Sequence, residues 1–206
     1  MAKHKKRTKQ KRTPIEEADV KAAKTATAYR DHPVVRGLGS VSELADQPPL
    51  AAICGAVIVA GAVAGKPRLI RAGIRMLAAH GAATLMKTVV KKAVDRTRPQ
   101  VLVEEGRYEL ARGKDSDDHM RTSFPSGHTA SAMATARAFG REYPEHQAAA
   151  LAAARAVAAV QVPRGAHYPT DVIAGGIIGR IAEAAVDLAF SASVRRLALQ
   201  RGAEPG

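Results

Sequence analysis

The chain predicts an all-α fold, a helical bundle of about five core helices embedded in a membrane. Three observations predict it. Apolar residues make up 46% of the chain, but Ala supplies much of that share, aromatics are only 3% and Trp is absent. Such a composition favours helices that pack closely. Residues 50–65 form a run of sixteen without a charge, rich in Gly and Ala. With Pro48-Pro49 it is just long enough to cross a bilayer, and its small residues suit close helix–helix contact in lipid. No stretch shows a strand pattern, and no internal repeat is visible. A chain of 206 residues suits one domain with its own core.

The elements follow in order. Residues 1–13 carry seven Lys or Arg and no acid. No apolar core follows them directly, so they are not a secretory signal. They read as a disordered basic tail lying on a bilayer with anionic lipids. No recognition motif accompanies the charge, so no specific nucleic acid is expected as a partner. The whole chain repeats the bias, with 32 Lys and Arg against 19 Asp and Glu, a balance that suits an anionic partner. Residues 15–29 predict one short helix. Residues 32–49 contain His32-Pro33, Gly37, Gly39 and Pro48-Pro49 and predict a loop with at most one helical turn.

The uncharged run at 50–65 is the first core helix, and a buried helix of a soluble bundle is the alternative for it. Cys54 within it has no partner for an intramolecular disulfide and reads as a small buried residue. Residues 69–94 predict the second helix, interrupted by Arg71, Arg75, His80, Lys87, Lys91 and Lys92, and closed by Arg98-Pro99. Residues 100–124, with Asp115 to Asp118, form the longest connection and suggest a lid or mobile loop. Three Ala-rich helices follow, at about 126–141, 145–161 and 168–190. The division is a basic tail and short helix over 1–31, a helical domain over 32–194, and a C-terminal tail over 195–206.

Three clusters carry chemistry. Lys91 and Arg98 are two helical turns apart and share a face at the end of the second helix. Pro125-Ser126-Gly127-His128 opens the third helix, where unpaired N–H groups and the positive end of the helix dipole favour an anion. Alone, that stretch is no more than a cap, with Ser126 at N-cap. His167 and Asp171 are four apart around Pro169, at the start of the last helix. Helices running up and down bring all three to one end of the bundle. Lys91, Arg98 and Arg164 can neutralise phosphoryl oxygens, and the backbone near Ser126 and Gly127 completes a cradle. One histidine can attack phosphorus, the other can protonate the departing oxygen, and Asp171 can orient a histidine.

These residues resemble the type 2 phosphatidic acid phosphatase superfamily, which also includes bacterial acid phosphatases and vanadium haloperoxidases. Its first motif, Lys, six residues, then Arg-Pro, stands at Lys91 through Arg98-Pro99. Its second, Pro-Ser-Gly-His, stands complete at 125–128. Of its third, Ser-Arg, five residues, His, three residues, Asp, the end stands at His167 and Asp171. The resemblance implies a PAP2/haloperoxidase-like bundle. It also implies that His167 is the nucleophile and forms a phosphohistidine, that Asp171 orients it, and that His128 is the general acid. Lys91, Arg98, Ser126 and Gly127 would bind the phosphate, with no metal and no cofactor. Where the family has Ser-Arg, this chain has Val160-Gln161, and Arg164, three residues on, is the candidate replacement.

The resemblance therefore predicts a lipid phosphatase, acting without metal on a phosphomonoester or diphosphate of phosphatidic acid or isoprenyl type. Its expected place is a bacterial inner membrane, crossed more than once. Two rivals remain open: a non-catalytic or weakly active membrane protein that binds anionic headgroups, and haloperoxidase chemistry on bound vanadate.

Overall fold

A computed structural model describes residues 12–113 and 118–202. The basic tail over residues 1–11 and the acidic residues Asp115 and Asp117 lie outside the described residues. The first helix, α1 (Pro14–Thr27), starts with a reciprocal cap. The Thr13 hydroxyl accepts from the Glu16 N–H, the Glu16 carboxylate accepts from the Thr13 N–H, and Pro14 occupies the first turn. Its inner face sets Val20 and Ala23 against Leu102 and Tyr168.

Residues 33–42 are helical, contrary to the predicted loop: α2 spans Pro33–Ser42. Pro33 is the first residue of the helix, where its missing N–H is no loss, and the His32 ring accepts from the Val34 N–H. A 3₁₀ turn, Glu43–Ala45, bends the chain into α3 (Gln47–Val63). Gly65, at φ 61°, reverses it into α4 (Pro67–Ala93). A Cβ at Gly61 would lie 2.8 Å from the Ile70 N, and one at Gly73 2.6 Å from an Ile58 side-chain carbon. The backbones of α3 and α4 therefore touch, which only Gly permits at those two positions.

The described parts of the connection, residues 94–113 and 118–126, carry regular structure where the sequence suggested a lid. Strands β1 (Val94–Arg96) and β2 (Leu110–Arg112) pair antiparallel, with Val94 opposite Arg112 and Arg96 opposite Leu110. Three-residue strands are too short to show alternation, which is why the sequence pattern missed them. Between them α5 (Pro99–Glu105) ends at Gly106, φ 65°. Then come α6 (Gly127–Glu142), α7 (Gln147–Val160) and α8 (Pro169–Gly202). Of the expected tail over 195–206, residues 195–202 continue α8, and 203–206 lie outside the described residues.

Helix α6 is central and packs on α4, α7 and α8. The core between them is Ala79, Ala83, Ala130, Ala134, Ala138, Ile178 and Ala182. Small side chains bring the axes together: a Cβ at Gly179 would sit 2.4 Å from the Ala130 carbonyl oxygen. Away from the site, buried Glu183 accepts from Arg137 at 2.9 Å and Arg141 at 2.7 Å, and Arg75 pairs with Glu142 and Asp187. These charges interrupt the apolar runs. Among the described residues no single helix is long and apolar enough to cross a membrane. One bent pair, Pro33–Ala45 with Gln47–Val63, reaches that length at an angle of 64°.

Candidate active site

The N-terminus of α6 is where the three predicted clusters meet. Ser126 is fully buried at N-cap and its hydroxyl accepts from the Thr129 N–H at 3.4 Å. The Ser126 N–H donates to the Asp171 carbonyl at 3.0 Å, which ties the start of α6 to the start of α8. Gly175 makes that approach possible, since a Cβ there would lie 2.5 Å from the Ser126 carbonyl oxygen. The first cluster arrives from α4 and β1. Lys91 Nζ donates to the Thr122 carbonyl at 3.1 Å. The Arg98 N–H donates to Met120 O at 3.0 Å, and the Gln100 N–H to Gly165 O at 3.1 Å.

His167 is almost wholly enclosed, 2% exposed, in the loop before α8. Its Nδ1 lies 2.7 Å from the Ser123 carbonyl oxygen. A carbonyl only accepts, so Nδ1 carries the proton and Nε2 keeps its lone pair. Burial pushes the His167 pKa down to about 4, and Arg98 and Lys91 add to the effect while Asp171 opposes it. The ring is therefore neutral at physiological pH, with two cations beside it.

Asp171 stands 3.8 Å from His167 Nδ1 and is fully buried. Its carboxylate accepts from the Ser123 hydroxyl at 2.5 Å, the Tyr168 N–H at 2.8 Å and Arg96 Nη1 at 2.6 Å. Ser123 thus joins the two groups: its hydroxyl donates to Asp171 and its carbonyl holds His167. Arg96 in turn donates to Asp19 of α1 at 2.6 Å and lies 4.0 Å above the Tyr168 ring. Asp19 also accepts from the Thr170 N–H at 3.0 Å and from the Thr170 hydroxyl. One buried network therefore runs from the N-terminal helix to the imidazole.

His128, second residue of α6, lies at the mouth with Nε2 3.6 Å from Glu43. Arg164 stands on the same side. It donates to the Ser42 hydroxyl at 2.7 Å and pairs with Glu43. Gln161 is buried and donates to the same Ser42 hydroxyl at 3.2 Å. Both residues of the variant third motif are thus held at Ser42, with Arg164 within electrostatic range of Arg98 and His128. Arg164 faces an open polar cleft of about 430 Å³ beside Arg30, Arg36 and Gln100. Among the described residues, Glu43, Asp46 and His128 bring possible metal-ligating atoms within 4.8 Å of one another. Glu43 is already committed to Arg164, so this set fits an ion-pair cluster better than a metal cage.

The sequence reading missed Arg96, Ser123, Asp19, Glu43 and Lys87. Arg96 sits inside the first quoted motif, Ser123 two residues before the second, and Lys87 one turn before Lys91 on the same helix face, so their placement was accessible. Asp19 lies 152 residues from Asp171 in the chain (171 − 19) and offers no local signal.

Comparison with known proteins bears on the family and the fold. The family model described as PAP2 superfamily matches residues 72–194. Over 95 residues, 46% of this chain, the sequence is 36% identical to a protein named lipid A 1-phosphatase from Rhizobium johnstonii and 35% identical to one from Rhizobium etli. The matched segment spans 38% and 40% of those relatives, about two fifths of their length. The fold is similar to the transmembrane PAP2 type phosphatidylglycerolphosphate phosphatase of Bacillus subtilis, with TM-score 0.60 and 21% identity over 89% of each chain. It is also similar to LpxE of Aquifex aeolicus, with TM-score 0.60 and 18% identity over 81% of this chain and 93% of that one.

Proposed function

Because the chain belongs to the PAP2 superfamily, we propose that it is a metal-independent lipid phosphatase working through a phosphohistidine. The observation that carries this reading is His167: Nδ1 is held by a carbonyl, so the Nε2 lone pair is free beside two cations. In the proposed reaction Nε2 attacks phosphorus and the P–O bond to the lipid breaks. The departing oxygen takes a proton from His128. Water then attacks the phosphohistidine, giving its proton to His128, and phosphate leaves with His167 restored. Lys91, Arg98, the Ser126 hydroxyl and the Gly127 N–H neutralise the phosphoryl oxygens, most strongly as charge builds in the transition state, while the Ser126 N–H stays on the Asp171 carbonyl. Asp171 stabilises the imidazole through Ser123. Arg164, paired with Glu43 at the mouth, closes on an incoming anion by exchanging one acid for another.

The proposed substrate is a phosphomonoester or diphosphate of a lipid, and the proposed place is a bacterial inner membrane, crossed more than once. Ile173, Ile177 and Ile181, four residues apart on α8, are 62%, 52% and 51% exposed and form an outward apolar stripe that supports contact with lipid. The test is phosphate release from a panel of lipid phosphates and diphosphates without added metal, comparing the wild type with His167→Ala. Release by the wild type alone is expected. No release from any member of the panel overturns the enzyme reading in favour of a headgroup-binding protein.

A further inference from the structure

Lys87 has no place in the reaction above, yet it is placed like a ligand-binding group. It is 7% exposed, on α4 one turn before Lys91. Its side chain lies along Gly127: a Cβ there would sit 2.9 Å from Lys87 Nζ and 3.4 Å from its Cδ. The ammonium is thus beside the first residue of α6, whose N–H belongs to the proposed cradle. Among the described residues no hydrogen bond or ion pair reaches it, and Asp46 acts on it only through space. Lys91, the neighbouring cation, repels it. A largely buried cation set next to another cation, with only the through-space field of Asp46 against them, is costly in a folded chain. An anion from outside removes that penalty.

We propose that Lys87 is a further substrate-binding residue, which holds the second phosphoryl group of a diphosphate beside the first one bound at Lys91, and so selects diphosphates over phosphomonoesters. The proposal rests on the phosphatase reading for its substrate class. A phosphomonoester presents one phosphoryl group, and Arg98, Lys91 and the cradle N–H groups already surround it. A second phosphoryl group extends the anion along Gly127 toward the ammonium and adds the negative charge that two adjacent lysines match.

The experiment uses the full chain in detergent, with inorganic phosphate and inorganic diphosphate as probes, for the wild type, Lys87→Met and Lys87→Arg. Met keeps the length and apolar stem without the charge, so the buried site stays filled. Lys87→Gln replaces it if its thermal transition is lost. The wild type is expected to bind diphosphate at least about tenfold tighter than phosphate, the scale of one charged hydrogen bond. Lys87→Met is expected to abolish that preference with phosphate affinity little changed, and Lys87→Arg to retain it. The ratio of kcat/KM for a diphosphate and a monophosphate of one isoprenyl alcohol should move in parallel. An unchanged ratio in Lys87→Met, or equal loss for both probes, overturns the assignment. A wild type that prefers diphosphate through Lys87 but releases phosphate from no lipid overturns only the phosphatase reading.

Discussion

At the scale of single residues, the site depends on which atoms are already committed. His167 is buried and neutral, with its pKa at about 4 against an ordinary 6.5. The unfolded chain therefore binds more protons than the folded one between those values. Stability contributed by the neutral ring is fully present above pH 6.5 and is lost as pH falls toward 4, by roughly 3 kcal/mol at one pKa unit per 1.4 kcal/mol. Chemical denaturation across that range should show a steeper acid loss for the wild type than for His167→Gln, which removes the titrating group; parallel curves would contradict the assignment. The second expectation concerns Asp19, which touches Arg96 and never the reacting atoms. Asp19→Asn leaves Arg96 with one carboxylate instead of two, so Asp171 is held less firmly. Turnover should fall by about tenfold, equivalent to 1.4 kcal/mol, with KM little changed. A rise in KM alone would show that Asp19 acts on substrate binding and not on the positioning of Asp171.

At the scale of elements, the helices are joined by glycines with opposite roles. Gly179 of α8 has the Ala130 carbonyl 2.4 Å from where its Cβ would be, whereas Gly81 of α4 has nothing within 4 Å. Gly179→Ala should push α8 off α6 and destabilise the fold by about 1–3 kcal/mol, the usual range for overpacking. Gly81→Ala should stabilise α4 by about 0.5–1 kcal/mol, because Ala has the better helix propensity and no neighbour to strike. Thermal transitions of the two variants, measured side by side, should move in opposite directions. The same comparison explains why α2 escaped the sequence reading. Pro33, Gly37 and Gly39 look like loop residues, but Pro33 begins the helix, and a Cβ at Gly39 would lie 3.1 Å from the Arg164 side chain. Gly39 is there for close approach, not for a turn.

For the whole molecule, the question is what solvent surrounds the bundle. Ion pairs such as Glu183 with Arg137 and Arg141 lie between the helices, while Ile173, Ile177 and Ile181 face outward. Charges paired between helices and an apolar stripe facing outward suit a bilayer, and the exposed Arg155 and Arg180 suit its polar boundary. The full chain should stay with the membrane fraction through a high-salt wash and be released only by detergent. Release by salt alone would mean that the basic residues hold it electrostatically to the surface.

Much of this protein is legible in the order of its residues. Ala-rich segments broken by Pro and Gly located α3, α4, α6, α7 and most of α8, because helix propensity and breakers act locally. The spacing of Lys91 with Arg98, the Pro-Ser-Gly-His run and the His167–Asp171 pair identified the candidate phosphate site, because each motif is also a local geometry at a helix end. What only the tertiary structure decided is who holds whom. Asp171 reaches His167 through Ser123, Arg96 is clamped by Asp19 from the N-terminal helix, Arg164 turns to Glu43, and Lys87 lies beside Gly127 with Asp46 acting on it only through space. Those relations depend on hydrogen bonds and charges brought together from distant parts of the chain by close-packed alanine and glycine, and no local pattern in the sequence encodes them.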